Sequence, residues 1–331
     1  MKESNLPTVA LIYGGRGHES EVSLRGAERI MPLIDREKYR TVSVFIHKDG
    51  RWLCNGGDAF PALTDGVSGL CRRGEMMPIS CAIPILHGDF GEDGVVQGAL
   101  ENAKIPYVGC SVKAGAVCCD KAVTKLVAEG LGIKTVPWVL AVSEGDALRA
   151  EDELGYPMFV KPCSLGSSVG ALVARSRGEL ISALNKALSL DNRVIIEKYI
   201  HHPRELECGY FKGKCKEIFT NPGEIICKKD FYDYNSKYID CEGTTLCPVA
   251  EVSEEVREQI KRHSADLVAA IGVRDLCRVD FFLSDGVLYF NEINTMPGFT
   301  PDSLYPEMLS VAGVQPRELI DGLIENALNR V

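Results

Sequence analysis

Long apolar runs are missing from this 331-residue chain. No stretch reaches the roughly 18 residues that a membrane-spanning helix needs, and the opening residues, Met1 to Pro7, lack the apolar core of a secretion signal. The expectation is a cytoplasmic protein with no membrane association. Positive charge is also in short supply: 37 Lys and Arg face 46 Asp and Glu, for a formal net charge of −9. That balance excludes broad binding to nucleic acid or anionic lipid, but not a local cationic pocket. Thirteen cysteines are present, yet none form a C-x-x-C pair, and the six histidines do not fall at zinc-ligand spacing near them. A zinc ribbon and a dithiol centre are thereby excluded. The thiols are expected to stay reduced, as small buried hydrophobes where Ala or Val would serve. Internal repeats and low-complexity linkers are absent too. What remains, 45% hydrophobic and 25% charged residues, is an ordinary globular composition with length for two or three domains.

The first third alternates strand and helix patterns. Strands are expected at 8–13, 41–46, 82–86 and, briefly, 106–109, with helices from Glu21 and over 94–103. This order predicts an α/β, doubly wound unit over residues 1–118. Asp120 is placed to cap a helix running to about 129, with Gly130 and Gly132 to stop it. Residues 119–204 continue with a strand at 157–162, a glycine–serine loop, strands at 171–174 and 194–198, and a helix from Glu179. From Glu205 to the end, hairpin-length spacing predicts a larger antiparallel sheet. A helix entering at Ser253 and closing at Gly272 accompanies it, with a last helix from Pro316. The second and third units together form a two-part α+β region.

The chemistry concentrates in Arg278-Val279-Asp280-Phe281-Phe282-Leu283, a short hairpin, and Asn291-Glu292-Ile293-Asn294. Side chains at i and i+2 on a strand share a face, so Glu292 and Asn294 point the same way. With Asp280 on the neighbouring strand they make an all-oxygen set suited to a hard cation such as Mg²⁺ that also bridges phosphates. Arg278 stands beside them to meet an anion; a structural salt bridge to Asp280 or Glu292 is its other reading, and the two roles can coexist. The loop Lys161-Pro162-Cys163-Ser164-Leu165-Gly166-Ser167-Ser168-Val169-Gly170 allows close backbone approach and can cradle phosphate oxygens. It is not a Walker A loop, because its lysine precedes the glycines and no helix follows directly.

Taken in order, a further set of motifs makes the chain resemble one family closely. They are Gly14-Gly15-Arg16-Gly17-His18-Glu19, Leu86-His87-Gly88 with Gly91-Glu92-Asp93-Gly94, Asp120-Lys121, the Lys161–Gly170 loop, Phe231 to Tyr238, Arg278 to Asp280, and Asn291 to Gly298. The chain resembles the D-alanine–D-alanine ligases of the ATP-grasp superfamily over nearly its whole length. The resemblance implies ATP-dependent joining of two D-alanines through an acyl phosphate, for peptidoglycan precursors. It implies a cytoplasmic enzyme, commonly a homodimer, using ATP and two Mg²⁺ ions, with Mn²⁺ as a substitute.

By the same resemblance Asp280, Glu292 and Asn294 hold the metals, and Lys121 and Lys161 contact nucleotide phosphates. Glu197, Lys198 and Glu205 line the adenine and ribose side. Arg278 and the backbone N–H of Gly298 match the pair that stabilises the tetrahedral oxyanion. Glu19 matches the residue receiving the first D-alanine's ammonium, with His87 nearby. Ser303 and Leu304 match the site for the second substrate's carboxylate. The segment from Phe231 to Tyr238 matches a lid, in which Lys237 reaches the γ-phosphate and Tyr238 bonds Ser167, itself bonded to Glu19. Two departures stand out. The segment from Glu197 to Glu205 is one residue longer than usual, which leaves Glu207 as a substitute for Glu205; and Cys163, Cys227 and Cys277 stand where sulfur is unusual. The competing readings are a second substrate of D-serine or D-lactate, and a catalytically silent nucleotide-binding protein. Relatives that take D-lactate carry histidine in place of Tyr238, and the joint presence of Lys121, Lys161, Arg278, Asp280, Glu292 and Asn294 argues against silence.

Overall fold

The computed structural model describes residues 6–214, 216–227, 244–300 and 302–330. Three sheets organise them. In the first, Thr8–Gly14 lies between Arg40–Ile46 and Cys81–Ile85 and pairs in parallel with both. Val9 and Leu11 pack into a core with Leu319, Leu323 and Ile324 of the helix Pro316–Leu328. Ala10 and Ile12 face the other way, toward Val96 and Leu100 of the helix Val95–Asn102. A parallel strand covered on both faces must be apolar throughout, which is why this run lacks alternation.

Beyond Ile46 the sheet continues as an antiparallel meander, Trp52–Cys54, Gly57–Thr64, Val67–Arg72 and Glu75–Pro78. The expected alternation of strand and helix omits these four strands. Their turns were legible: Asn55-Gly56 and Asp65-Gly66 are hairpin dipeptides, and all four residues adopt positive φ. The expected strand at 106–109 is corrected to a single bridge between Tyr107 and Ala82. Only two ladder bonds form there, Ala82 N–H to Pro106 O and Val108 N–H to Ala82 O, and Pro106 has no N–H to add another.

The second sheet is antiparallel, in the order Leu172–Ala174, Met158–Pro162, Val194–Lys198, Trp138–Ala141. Met158, Val160, Val194 and Ile196 pack beneath the helices Asp146–Leu154 and Arg177–Leu188. Phe159, Lys161 and Glu197, at the alternate positions, are left for the opposite face. The third sheet, also antiparallel, is built on Arg204–Lys212, Leu276–Ser284 and Val287–Asn294. One of its faces, with Leu206, Val279, Phe281 and Ile293, packs on Ile260, Leu267 and Ile271 of the helix Glu254–Ile271. The other face carries the charges.

Between these sheets runs the helix Lys121–Gly130. The Asp120 carboxylate caps it, accepting from the N–H groups of Ala122 and Val123 at 3.0 Å each. Ser253 and Gly272 bound the longer helix as expected, Gly272 with φ of 77°. The ten cysteines whose side chains are described are free thiols, and most are buried. Among the described residues no helix is long and apolar enough to cross a membrane.

Candidate active site

A cleft opens between the charged faces of the second and third sheets, with the loop from Leu165 to Val169 along one edge. Its lysines come from two elements. Lys161 projects from Met158–Pro162, and its Nζ lies 2.8 Å from Glu197 Oε2 and 3.3 Å from Asn291 Oδ1. Lys121 opens the helix and donates to Leu165 O at 2.8 Å, with Glu292 Oε2 at 3.4 Å. Lys125, one turn later, is fully buried with its ammonium 2.7 Å from Glu197 Oε1. Burial alone would raise the Glu197 pKa. The two ammoniums overcome it and bring the group down to about 2. Burial pulls Lys125 below its ordinary value despite Glu197.

Glu205 lines the same cleft, as does Lys198. The Lys198 ammonium, however, turns away onto the carbonyls of Leu154 at 2.9 Å, Gly155 and Tyr156. Glu207, the substitute for Glu205, is buried opposite Asp280 and sits 3.2 Å from Arg278 Nε.

Arg278 forks onto Asp280 through two bonds of 2.7 Å, and the Asn294 amide donates to Asp280 Oδ2 at 2.9 Å. Asp280 pairs with Glu292 across the strands and Arg278 with Asn294, until the register shifts after Asp280. Phe281 then opposes Phe290, so Asn291 is the extra residue of a β-bulge. The bulge explains how Phe290 and Ile293, three residues apart, both enter the core while Asn291 and Glu292 both line the cleft. Two carboxylates and an amide on one sheet face are hard oxygen donors, and their chemistry fits Mg²⁺. Among the described residues no group of three or more His, Cys, Asp or Glu gathers at metal-holding spacing.

A smaller pocket that shares Leu165, Gly166 and Val169 with the cleft is lined by Glu19, which precedes the helix Ser20–Ile30. The Ser167 hydroxyl donates to Glu19 Oε1. Two glycines crowd the same carboxylate: a Cβ would fall 2.4 Å from Oε2 at Gly88, whose φ is 64°, and 3.0 Å from it at Gly166. His87 Nδ1 donates to Met296 O at 3.0 Å, which leaves Nε2 as a buried acceptor without a hydrogen-bond partner among the described residues. Burial, outweighing the Glu19 charge, lowers the His87 pKa and keeps the ring neutral. Glu92 accepts from the N–H groups of Gly88 at 2.9 Å and Met296 at 2.8 Å. Burial pushes its pKa up to about 7, and those amides only partly oppose it.

Gly298 and Ser303 meet closely, since a Cβ at 298 would lie 2.5 Å from Ser303 Oγ. Ser303 begins the helix Leu304–Val311, and Leu304 is buried. Lys237 and Tyr238, with the whole segment from Phe231, lie outside the described residues. Sequence reasoning missed three participants. Lys125 was signalled only by its spacing of four from Lys121, and Glu92 stood in a quoted motif without a role. Asn291 faces the cleft by virtue of the bulge, which nothing in the strand pattern announces.

Models of the D-ala D-ala ligase N-terminus and C-terminus match residues 8–110 and 127–325. A D-alanine–D-alanine ligase of Deinococcus radiodurans is 41% identical, covering 97% of this chain and 98% of its own. The crystal structure of the VanG D-Ala:D-Ser ligase of Enterococcus faecalis superposes with a TM-score of 0.87 at 29% identity, covering 97% of this chain and 99% of that one. A D-alanine–D-alanine ligase of Bacillus anthracis, crystallised with ATP, gives 0.77 at 31% identity, covering 98% of both chains.

Proposed function

The chain belongs to the D-ala D-ala ligase family, and on that premise we propose that it joins two D-alanines at the expense of ATP. The observation that carries this reading is the loop Leu165–Val169, which joins two pockets. The cleft lined by Lys121, Lys161 and Glu292 and the smaller pocket of Glu19 share Leu165, Gly166 and Val169, and Ser167 of the loop lines the cleft while bonding Glu19. A triphosphate needs cations, and an amino acid needs a carboxylate for its ammonium; the two lie on either side of one loop.

Glu19 holds the first D-alanine by its ammonium, and the neutral His87 ring offers Nε2 as a second acceptor. The substrate carboxylate attacks the γ-phosphorus of ATP, so that a C–O–P bond forms and the bond to ADP breaks. Lys121 and Lys161 hold the phosphates in line for that transfer, with Lys237 of the lid on the γ-phosphate. Glu197, Lys198 and Glu205 bound the adenine and ribose. The free amine of the second D-alanine, its carboxylate held at Ser303 and Leu304, attacks the acyl carbon. Arg278 and the Gly298 N–H stabilise the oxyanion, which collapses to the dipeptide and releases phosphate. Asp280, Glu292 and Asn294 would hold two Mg²⁺ ions, or Mn²⁺, which offset triphosphate charge when bound. Tyr238, bonded to Ser167, closes the lid and keeps water from the acyl phosphate.

Three units serve this chemistry, 1–118, 119–204 and 205–331; the reading is supported by each sheet drawing its strands from one such interval to within a residue. The same reading makes the protein a cytoplasmic homodimer, which light scattering of the purified protein tests. The substrate test is phosphate release from ATP with D-alanine, D-serine or D-lactate, followed by product mass. D-alanyl-D-alanine as the main product supports the proposal. A mixed D-alanyl-D-serine product would move the second site to the specificity named for VanG.

A further inference from the structure

Lys125 is a buried ammonium that the mechanism above does not use. It is 0% exposed, and lysine is almost never buried to that degree unless it is paired. Lys121 and Lys125 stand four apart on one helix face, where like charges repel. Each is answered by a carboxylate from a different sheet, Lys121 by Glu292 at 3.4 Å and Lys125 by Glu197 at 2.7 Å. The second Glu197 oxygen holds Lys161 at 2.8 Å. Three groups thus stand in a row, ammonium, carboxylate, ammonium, with a net charge of plus one. Lys161 and Glu197 both line the cleft, whereas Lys125 does not, and Lys161 reaches on to Asn291.

We propose that Lys125 is a positioning residue for ATP: by sharing the Glu197 carboxylate it leaves Lys161 with positive charge for the nucleotide phosphates. This rests on the reading of Lys161 as a phosphate contact. Without Lys125, Glu197 and Lys161 form a closed pair of zero net charge. Lys161 would then have to leave its only full counter-charge among the described residues in order to meet a phosphate. A residue needed only to fill space here could be apolar, since buried ion pairs are replaceable by well-packed apolar groups. The charge is therefore what distinguishes lysine at this position.

The test uses Lys125→Met in the full-length enzyme, with steady-state kinetics for ATP and D-alanine and binding of ATP and adenosine. The expected result is a rise of about tenfold in the KM for ATP, the scale of one charge-assisted hydrogen bond. The KM for D-alanine and the affinity for adenosine, which has no phosphate, should stay unchanged. Where Lys125→Met does not fold, Lys125→Gln, polar but uncharged, gives the same readout. An unchanged ATP KM overturns the inference, as does equal weakening of ATP and adenosine. Lys161→Met separates the two layers. If it leaves the ATP KM unchanged, the phosphate role of Lys161 fails and the inference with it; if it raises KM while Lys125→Met does not, the inference alone fails.

Discussion

Glu197 and Glu92 are desolvated carboxylates at opposite ends of one site, and their surroundings drive them in opposite directions. Burial raises both. Glu197 answers with two ammoniums within 2.8 Å and comes down to about 2. Glu92 answers with two backbone amides at 2.8 and 2.9 Å, feels Glu19 as a like charge, and rises to about 7. Amide donors of good geometry thus do not replace a full charge in this setting. The site is graded accordingly. Around Lys161 and Glu197 it carries fixed ion pairs, whereas near Glu19 the raised value of Glu92 disfavours a second negative charge.

The largest effect is expected where the two ends meet, at Glu292. It faces Lys121 of the nucleotide end and pairs across the strands with Asp280. Glu292→Gln keeps the size and removes a charge from a site that must offset triphosphate. Ligation should be almost entirely lost, with folding little changed by circular dichroism. Parental turnover at ordinary Mg²⁺ would remove Glu292 from the metal set and leave the two ends independent.

Arg278→Lys tests which end the guanidinium serves. Lysine keeps the charge but loses the planar fork that grips Asp280 through two 2.7 Å bonds. Turnover should fall by roughly 10²–10³, as for a lost oxyanion donor, while ATP affinity changes far less. Should ATP binding collapse while bound ATP still turns over normally, Arg278 belongs with the lysines instead.

Ser167→Ala sharpens the comparison from the loop that touches both ends. It removes one hydrogen bond to Glu19, worth about 0.5–1.5 kcal/mol. The KM for D-alanine should rise several-fold and the KM for ATP should not. Tyr238→Phe is expected to act in the same direction, with more ATP hydrolysed per dipeptide. An effect of Ser167→Ala on ATP alone would assign the loop wholly to the nucleotide.

Part of the site, though not its grading, was legible in the sequence. Period-two reasoning placed Glu292 and Asn294 on one face, and Asp120 announced its helix through cap chemistry. Pairing across strands was harder. The bulge at Asn291 breaks the period locally, so no count along the strand puts Asn291 beside Lys161. Lys125 escaped because a charge at helical spacing is usually solvated, and only the approach of Val194–Lys198 from a second sheet buries it. The meander after Ile46 was missed for a simpler reason: its strands are short and half-exposed, with weak alternation, although their turn dipeptides were plain.

The smallest effect expected is on stability, and it tests the comparison directly. Glu92 has its folded-state pKa raised from 4.5 to about 7. A group shifted upward contributes stability that is fully present below its unfolded pKa and is lost as pH rises through its folded value. Between those limits the folded protein keeps a proton that the unfolded chain releases. Glutamine cannot ionise, so Glu92→Gln should gain on the parent as pH rises from about 5 to about 8. Glu197 has the opposite sign: with a folded value of about 2 against 4.5, its contribution is present at neutral pH and lost on acidification. The deficit of Glu197→Gln should therefore be largest near neutrality and shrink toward low pH. Thermal midpoints of the three proteins from about pH 2 to about pH 8, which spans both windows, decide the matter. Opposed slopes support the grading, and curves parallel to the parent for both variants would show that the two carboxylates are not held in different protonation states.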